Sequence, residues 1–259
     1  IGPFFKSNVL EVLDYVKTQK IPVVAPFANS TELRNYSNLV IIETEQSVFA
    51  DRIVKEVSLA YSDQKIYIVA DSDKTYANYM KKQLEGQLKN ANITVVNSSA
   101  DIQLDTNMMT GQTAPVIAIL ANDNDDAGSD FSKRIIDLAK ETSGMKSFSM
   151  YYHPSFEKNI AELSKASLVY LMDRKINTDG DFEKEVLADY KKKYCKAPSK
   201  YAVIGFDVVN DMLTRENSKG ELFKQMNKPQ TQLATKFEFV RNKNGAYVNQ
   251  GYRVVRLVP

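Results

Sequence analysis

His153 is the single histidine of the sequence and Cys195 its single cysteine, and that scarcity bounds the chemistry the chain can do. A Ser-His-Asp or Cys-His relay would have to be built on His153, and no serine stands in a Gly-x-Ser-x-Gly elbow. Histidine-based zinc binding lacks ligands, and one cysteine excludes an internal disulfide or a multi-cysteine metal site. Neither Gly-x-x-x-x-Gly-Lys-Ser/Thr nor Gly-x-Gly-x-x-Gly occurs, so the usual nucleotide loops are missing from the sequence. The expectation is a chain that catalyses nothing and carries no cofactor and no metal. What the sequence does offer is hydrogen-bonding groups in short clusters: Ser7-Asn8, Asn29-Ser30-Thr31, Asp71 with Asp73, the run 122–126, and Tyr151-Tyr152-His153. The run Asn122-Asp123-Asn124-Asp125-Asp126 resembles a calcium loop only superficially, because Ala127 stands where that loop needs glycine. It reads as a solvated loop from which Asn122 or Asp123 could reach a ligand.

Composition narrows the class further. Lys+Arg exceed Asp+Glu by 34 − 32 = 2, and the densest basic run, Lys191-Lys192-Lys193, suits the solvated face of a helix. Nucleic acid is therefore not an expected partner, since binding phosphates needs a concentrated basic face. Hydrophobic residues at 43% and charged residues at 25% are ordinary globular values. The longest apolar stretch, such as 116–121, is about six residues where a membrane helix needs roughly 20. The opening Ile1-Gly2-Pro3 reads as the tail of a strand, which raises the expectation of an upstream portion.

The elements that must position these groups alternate along the chain. Short β-branched runs at 21–26, 39–43, 65–70, 93–96, 115–121, 146–152 and 167–172 are separated by helical patterns near 8–18, 47–61, 74–90, 129–143 and 156–164. Such alternation predicts βαβ units and parallel sheets flanked by helices. Two helices in succession, 181–194 and 200–216, then precede a hairpin whose turn is Asn242-Lys243-Asn244-Gly245. Polar stretches at 61–64 and 174–180 are the expected linkers.

In an open parallel sheet, ligands lie beyond the carboxyl ends of the strands, where helix N-termini expose N–H groups. Ser7 and Asn8 stand ahead of a helix, able to cap it or to hold a carboxylate. Asn29 and Ser30 follow a strand and form either a site or an ordinary turn. Asp71 and Asp73 could hold an ammonium group or simply complement a helix dipole. Tyr152 and His153 close the strand at 146–152.

Several of these segments carry a resemblance. Ile1-Gly2-Pro3, a helix, and then Ile21-Pro22-Val23-Val24-Ala25-Pro26-Phe27-Ala28-Asn29-Ser30-Thr31-Glu32-Leu33 resemble the "IGP … IPVISPxAT … L" stretch of receptors for branched-chain amino acid ABC transporters. Lys65 to Asp71 followed by Asp73-Lys74-Thr75-Tyr76 is similar to "KVAIIYDDxxYG". Phe182 to Tyr194 followed by Ala197-Pro198, Tyr201-Ala202 and Gly205-Phe206-Asp207-Val208 resembles "FxxxYxxxYxxxPxxxAxxGYDA", and the closing hairpin resembles "F…NG…V.I".

The resemblance implies a two-lobed type I periplasmic-binding-protein fold with an incomplete first lobe. Lobe 1 would be 1–62 with 178–216, and lobe 2 would be 63–177 with 217–259. It further implies an extracytoplasmic receptor in the bacterial envelope that closes on a small polar solute such as an amino acid. A membrane transporter would be its partner; in a LysM-linked variant of the family the partner would be peptidoglycan. Asn29 and Ser30 would meet the ligand carboxylate, and Tyr76 would cover the ligand from lobe 2. Two residues depart from the pattern: Phe27 stands where amino acid receptors have a small residue, and Ala77 replaces the glycine after the tyrosine. These departures leave open a wall-associated interaction module whose cleft has degenerated. A cytoplasmic α/β enzyme acting on a phosphorylated or carboxylated metabolite is the alternative of another class.

Overall fold

The computed structural model describes residues 1–19, 21–216 and 219–258, and its chain forms two compact units. One unit comprises Ile1–Glu45 with Asp173–Arg253, the other Gln46–Met172 with Val254–Pro259. In chain order, α1 (Lys6–Val16), β1 (Val23–Ala25) and β2 (Leu39–Ile41) open the first unit. The second unit then runs through α2 (Gln46–Ala60), β3 (Lys65–Val69), α3 (Thr75–Gln87), β4 (Ile93–Val96) and β5 (Val116–Leu120). It continues through α4 (Asp125–Glu141), β6 (Lys146–Ser149), α5 (Pro154–Lys158), α6 (Ile160–Ser164) and β7 (Val169–Met172). The chain returns to the first unit with α7 (Asp181–Tyr194), α8 (Lys200–Arg215), β8 (Gln230–Thr231), β9 (Lys236–Phe237), β10 (Phe239–Arg241) and β11 (Tyr247–Asn249). It ends on β12 (Arg253–Arg256).

The sheet of the first unit has the order β1-β2-β11-β10. β1 and β11 both run parallel to β2, with Val24 opposite Val40 and Val248 opposite Ile41, and β10 pairs antiparallel with β11. Period-two alternation divides the apolar residues between two layers. Val23, Ala25, Leu39, Ile41 and Val248 cluster with Val9 and Leu13 of α1, while Val24, Val40 and Ile42 cluster with Ile204, Val208 and Met212 of α8.

The sheet of the second unit has the order β12-β7-β6-β5-β3-β4, and its pairs from β4 through β7 are parallel. Every residue of β5 is buried, as its doubly apolar sequence predicts. Tyr67, Val69, Ala118 and Leu120 pack with Phe131, Ile135 and Leu138 of α4. Among the described residues, no helix is long and apolar enough to cross a membrane.

The division differs from the expected one in three places, the smallest being that 173–177 belong to the first unit. α2 belongs to the second unit, where it packs against α3 and β6, and not to the first. The segment expected to join the second unit from 217 onward instead supplies β10 and β11 to the first unit's sheet, and only from Val254 does the chain rejoin the second unit, where β12 lies beside β7. The crossings thus fall at 45/46, 172/173 and 253/254. Smaller differences are the earlier start of α4 and the break of the expected 156–164 helix into α5 and α6 at Asn159.

Within the second core, Tyr170 is 1% exposed and its ring lies 5.3 Å from Phe156. Burial, reinforced by the negative charge of Glu157, pushes its phenol from 10.0 up to about 12. Over that interval the folded state keeps a proton that the unfolded chain releases, so stability must fall as pH rises from 10 to 12. Tyr170→Phe should remove this component, flattening the alkaline decline by at most about 3 kcal/mol. Urea denaturation of both proteins at stepped pH tests it; parallel declines would contradict it.

Candidate functional site

The first unit places Phe27, Asn29 and Ser30 directly after β1, in the segment leading to a 3₁₀ turn at Thr31–Asn35. Asn29 Oδ1 accepts from the Arg34 guanidinium at 2.8 Å, and Arg34 in turn pairs with Glu45. Ser30 precedes the turn with extended backbone, and its hydroxyl is buried with no hydrogen-bond partner among the described residues. Phe27 lies 5.6 Å from Phe4 and 5.9 Å from Tyr201, ring centre to ring centre. These rings, with Phe5, Ile204 and Val208, line an apolar cavity of about 610 Å³. Ser7 and Asn8 do not cap α1. The helix begins at Lys6 with Phe5 as its extended N-cap residue, so both side chains sit in the first turn, exposed, where Ser7 Oγ donates to Asn8 Oδ1 at 3.0 Å.

In the second unit, the parallel strands bring most of the remaining groups to their shared carboxyl end. Asp71 follows β3, Asn122 and Asp123 follow β5, and Tyr152 and His153 follow β6. Asn124 Nδ2 donates to Asp71 Oδ2 at 2.9 Å, joining two of these loops. The Asn122 side chain and the Ser72 N–H beside Asp71 hold its carboxyl below the usual carboxylate range. A cavity of about 270 Å³ opens there, lined by Asp71, Asn97, Ser98, Ser99, Asn122 and Asp126 among others. Asn97 to Ser99 went unnoticed in the sequence, although they follow β4 and the same strand-end rule points to them. Asp123 is exposed.

Other groups serve the fold locally. Asn124 caps α4, accepting from the Ala127 N–H at 2.6 Å, while Asp125 and Asp126 complement the helix dipole. Asp73 accepts from the Thr75 N–H at 2.9 Å ahead of α3. His153 is the N-cap of α5: its Nδ1 accepts from the Ser155 N–H at 3.1 Å. Tyr152 donates to Glu157 at 3.1 Å, and burial followed by that carboxylate raises its phenol pKa. Tyr76 is half-buried in the first turn of α3, and Ala77 beside it is fully buried. Among the described residues, no group of three His, Cys, Asp or Glu side chains could hold a metal ion.

Parallel-rich sheets with helices on both faces and three chain crossings define the type I periplasmic-binding-protein fold. Solved structures bear this out. The chain is similar to an ABC transporter substrate-binding protein of Desulfitobacterium hafniense in complex with Leu, at 10% identity and TM-score 0.54, over 98% of this chain and 76% of that one. A Rhodospirillum rubrum protein ascribed to a branched-chain amino acid ABC transporter matches at 12% identity and TM-score 0.61, over 94% and 72%. A branched-chain amino acid ABC transporter periplasmic ligand-binding protein of Burkholderia xenovorans matches at 12% and 0.56, over 98% and 70%. No family model matches the chain, and no curated protein does.

Proposed function

We propose that this chain is a non-catalytic, extracytoplasmic solute-binding protein that takes up a small polar ligand such as an amino acid and presents it to a membrane transporter. The observation that supports this reading most is the fold, shared with substrate-binding chains over 94% to 98% of this chain's length. Asn29, Ser30, Ser7 and Asn8 would receive the ligand carboxylate. In the second unit, Asp71, favoured in its ionised form, would be the group for an ammonium, and Tyr76, Asn122, Asp123 and Tyr152 are that unit's other candidates for ligand contact. His153 is a further candidate while capping α5.

A second reading, an interaction module without solute binding, draws support from Phe27. Its ring is engaged with Phe4 and Tyr201, and Asn29 is engaged with Arg34. A thermal-shift screen against leucine, valine, other amino acids and short peptides separates the two. A true ligand at 100 times its Kd should stabilise the chain by about 2.7 kcal/mol. Asn29→Ala and Tyr76→Ala should each abolish that shift. If no compound moves the melting temperature, the receptor reading falls and the interaction module stands.

A further inference from the structure

The loop between β4 and β5 holds Met108 and Met109 at 100% and 97% exposure. A structured scaffold supports them. Thr106 and Thr113 form an antiparallel bridge, Asn107 N donates to Gln112 O at 2.9 Å, and Gly111 N donates to Asn107 O at 2.8 Å. The Asn107 side chain accepts from the N–H groups of Met109 and Thr110 at 2.9 and 3.2 Å. Neither sulfur takes part in these bonds. The other methionines are placed differently: Met80, Met145, Met150, Met212 and Met226 are between 0% and 7% exposed, and Met172 is half-buried against the second unit's core.

We propose that Met108 and Met109 are a reversible sulfoxidation site for peroxide-class oxidants, uncoupled from the fold. The thioether sulfur attacks one peroxide oxygen. The O–O bond breaks as the S–O bond forms, sulfur gives up two electrons, and water or an alcohol leaves. Oxidation of a buried methionine puts a polar sulfoxide into a core, whereas here it changes only a solvated tip. The loop leads into the amino end of β5, away from the strand ends that carry Asp71, Asn122 and Tyr152. The product is also open to a reductase, which regenerates the thioether at the expense of a dithiol.

The test treats the whole chain with limiting hydrogen peroxide and follows each methionine by peptide mass spectrometry, with melting temperature measured in parallel. Met108 and Met109 should oxidise about tenfold or more faster than the buried five. The melting temperature should stay unchanged, and methionine sulfoxide reductase with dithiothreitol should restore both residues. In a Met108→Leu, Met109→Leu variant the fast phase should vanish. Even oxidation across the methionines, a fast phase that survives in the variant, a fall in melting temperature as the pair oxidises, or irreversibility would each overturn the proposal.

Discussion

Asp211→Ala is expected to cost about 3–5 kcal/mol, because it leaves a guanidinium buried without its counter-charge. Asp211 and Arg215 are both 0% exposed and sit one turn apart on α8. Arg215 Nε donates to Asp211 Oδ2 at 2.6 Å and its NH2 group donates to Oδ1 at 3.2 Å. The remaining nitrogen, NH1, donates to the carbonyls of Gln225, Met226 and Lys228 at 2.8–3.0 Å, and Phe239 lies 5.0 Å beneath the guanidinium. One side chain thus ties the 225–228 segment to α8, and Asp211 is what makes its charge tolerable there. An ordinary buried pair can be exchanged for apolar residues at little cost. Here Asp211→Leu with Arg215→Met should remain destabilised, because three carbonyls lose their donor at about 1 kcal/mol or more each. Chemical denaturation of the single and double variants checks both statements. A loss below about 1 kcal/mol for Asp211→Ala would show that water reaches the site.

This pair also marks where sequence reading stops. Asp211 and Arg215 at i and i+4 look like any solvated helix pair, and only the packing of 222–239 over them reveals the burial. Local patterns were legible where burial is dictated from both sides or by a turn: β5 as an unbroken apolar run, the β10–β11 hairpin through Asn242 to Gly245, and α7 followed by α8. Membership was not. The recurrence of Val48, Ile53, Val54, Val57 and Ala60 tells that α2 buries one face but not which sheet lies under it, and α2 covers the second unit's sheet. Likewise the run from Ala246 to Leu257 reads as one closing strand, yet Tyr247 and Val248 pair with β2 and its last residues lie beside β7. Most candidate site residues were legible as loop positions after strands, whereas Ser7 and Asn8 lie in the first turn of α1 and Tyr76 in that of α3. Their engagements were not, because the Asn29–Arg34 bond and the His153 cap depend on how each loop folds back.

Gly251 stands at the point where that closing run changes sheets, and Gly251→Ala should destabilise the chain by about 3 kcal/mol. A Cβ there would meet Lys236 O at 1.9 Å and Lys236 C at 2.6 Å. Those are backbone atoms of β9, so no rotamer change relieves the overlap. The neighbourhood is also bonded on every side: Gly251 N donates to Asn249 Oδ1 at 2.9 Å, Thr44 Oγ1 donates to Gly251 O at 2.5 Å, and Asn249 Nδ2 donates to Ile42 O at 3.0 Å. Moving the backbone aside to fit one methyl therefore strains bonds to the segment after β2 as well. Gly86→Ala is the matched comparison. It lies near the end of α3 with nothing within 4 Å of the added Cβ, and it should stabilise by up to about 1 kcal/mol through helix propensity. Urea midpoints of the two variants should move in opposite directions. If Gly251→Ala matched wild type, the approach of the 249–251 turn to β9 would have to be looser than it stands here, and the crossing at 253/254 would lose its anchor.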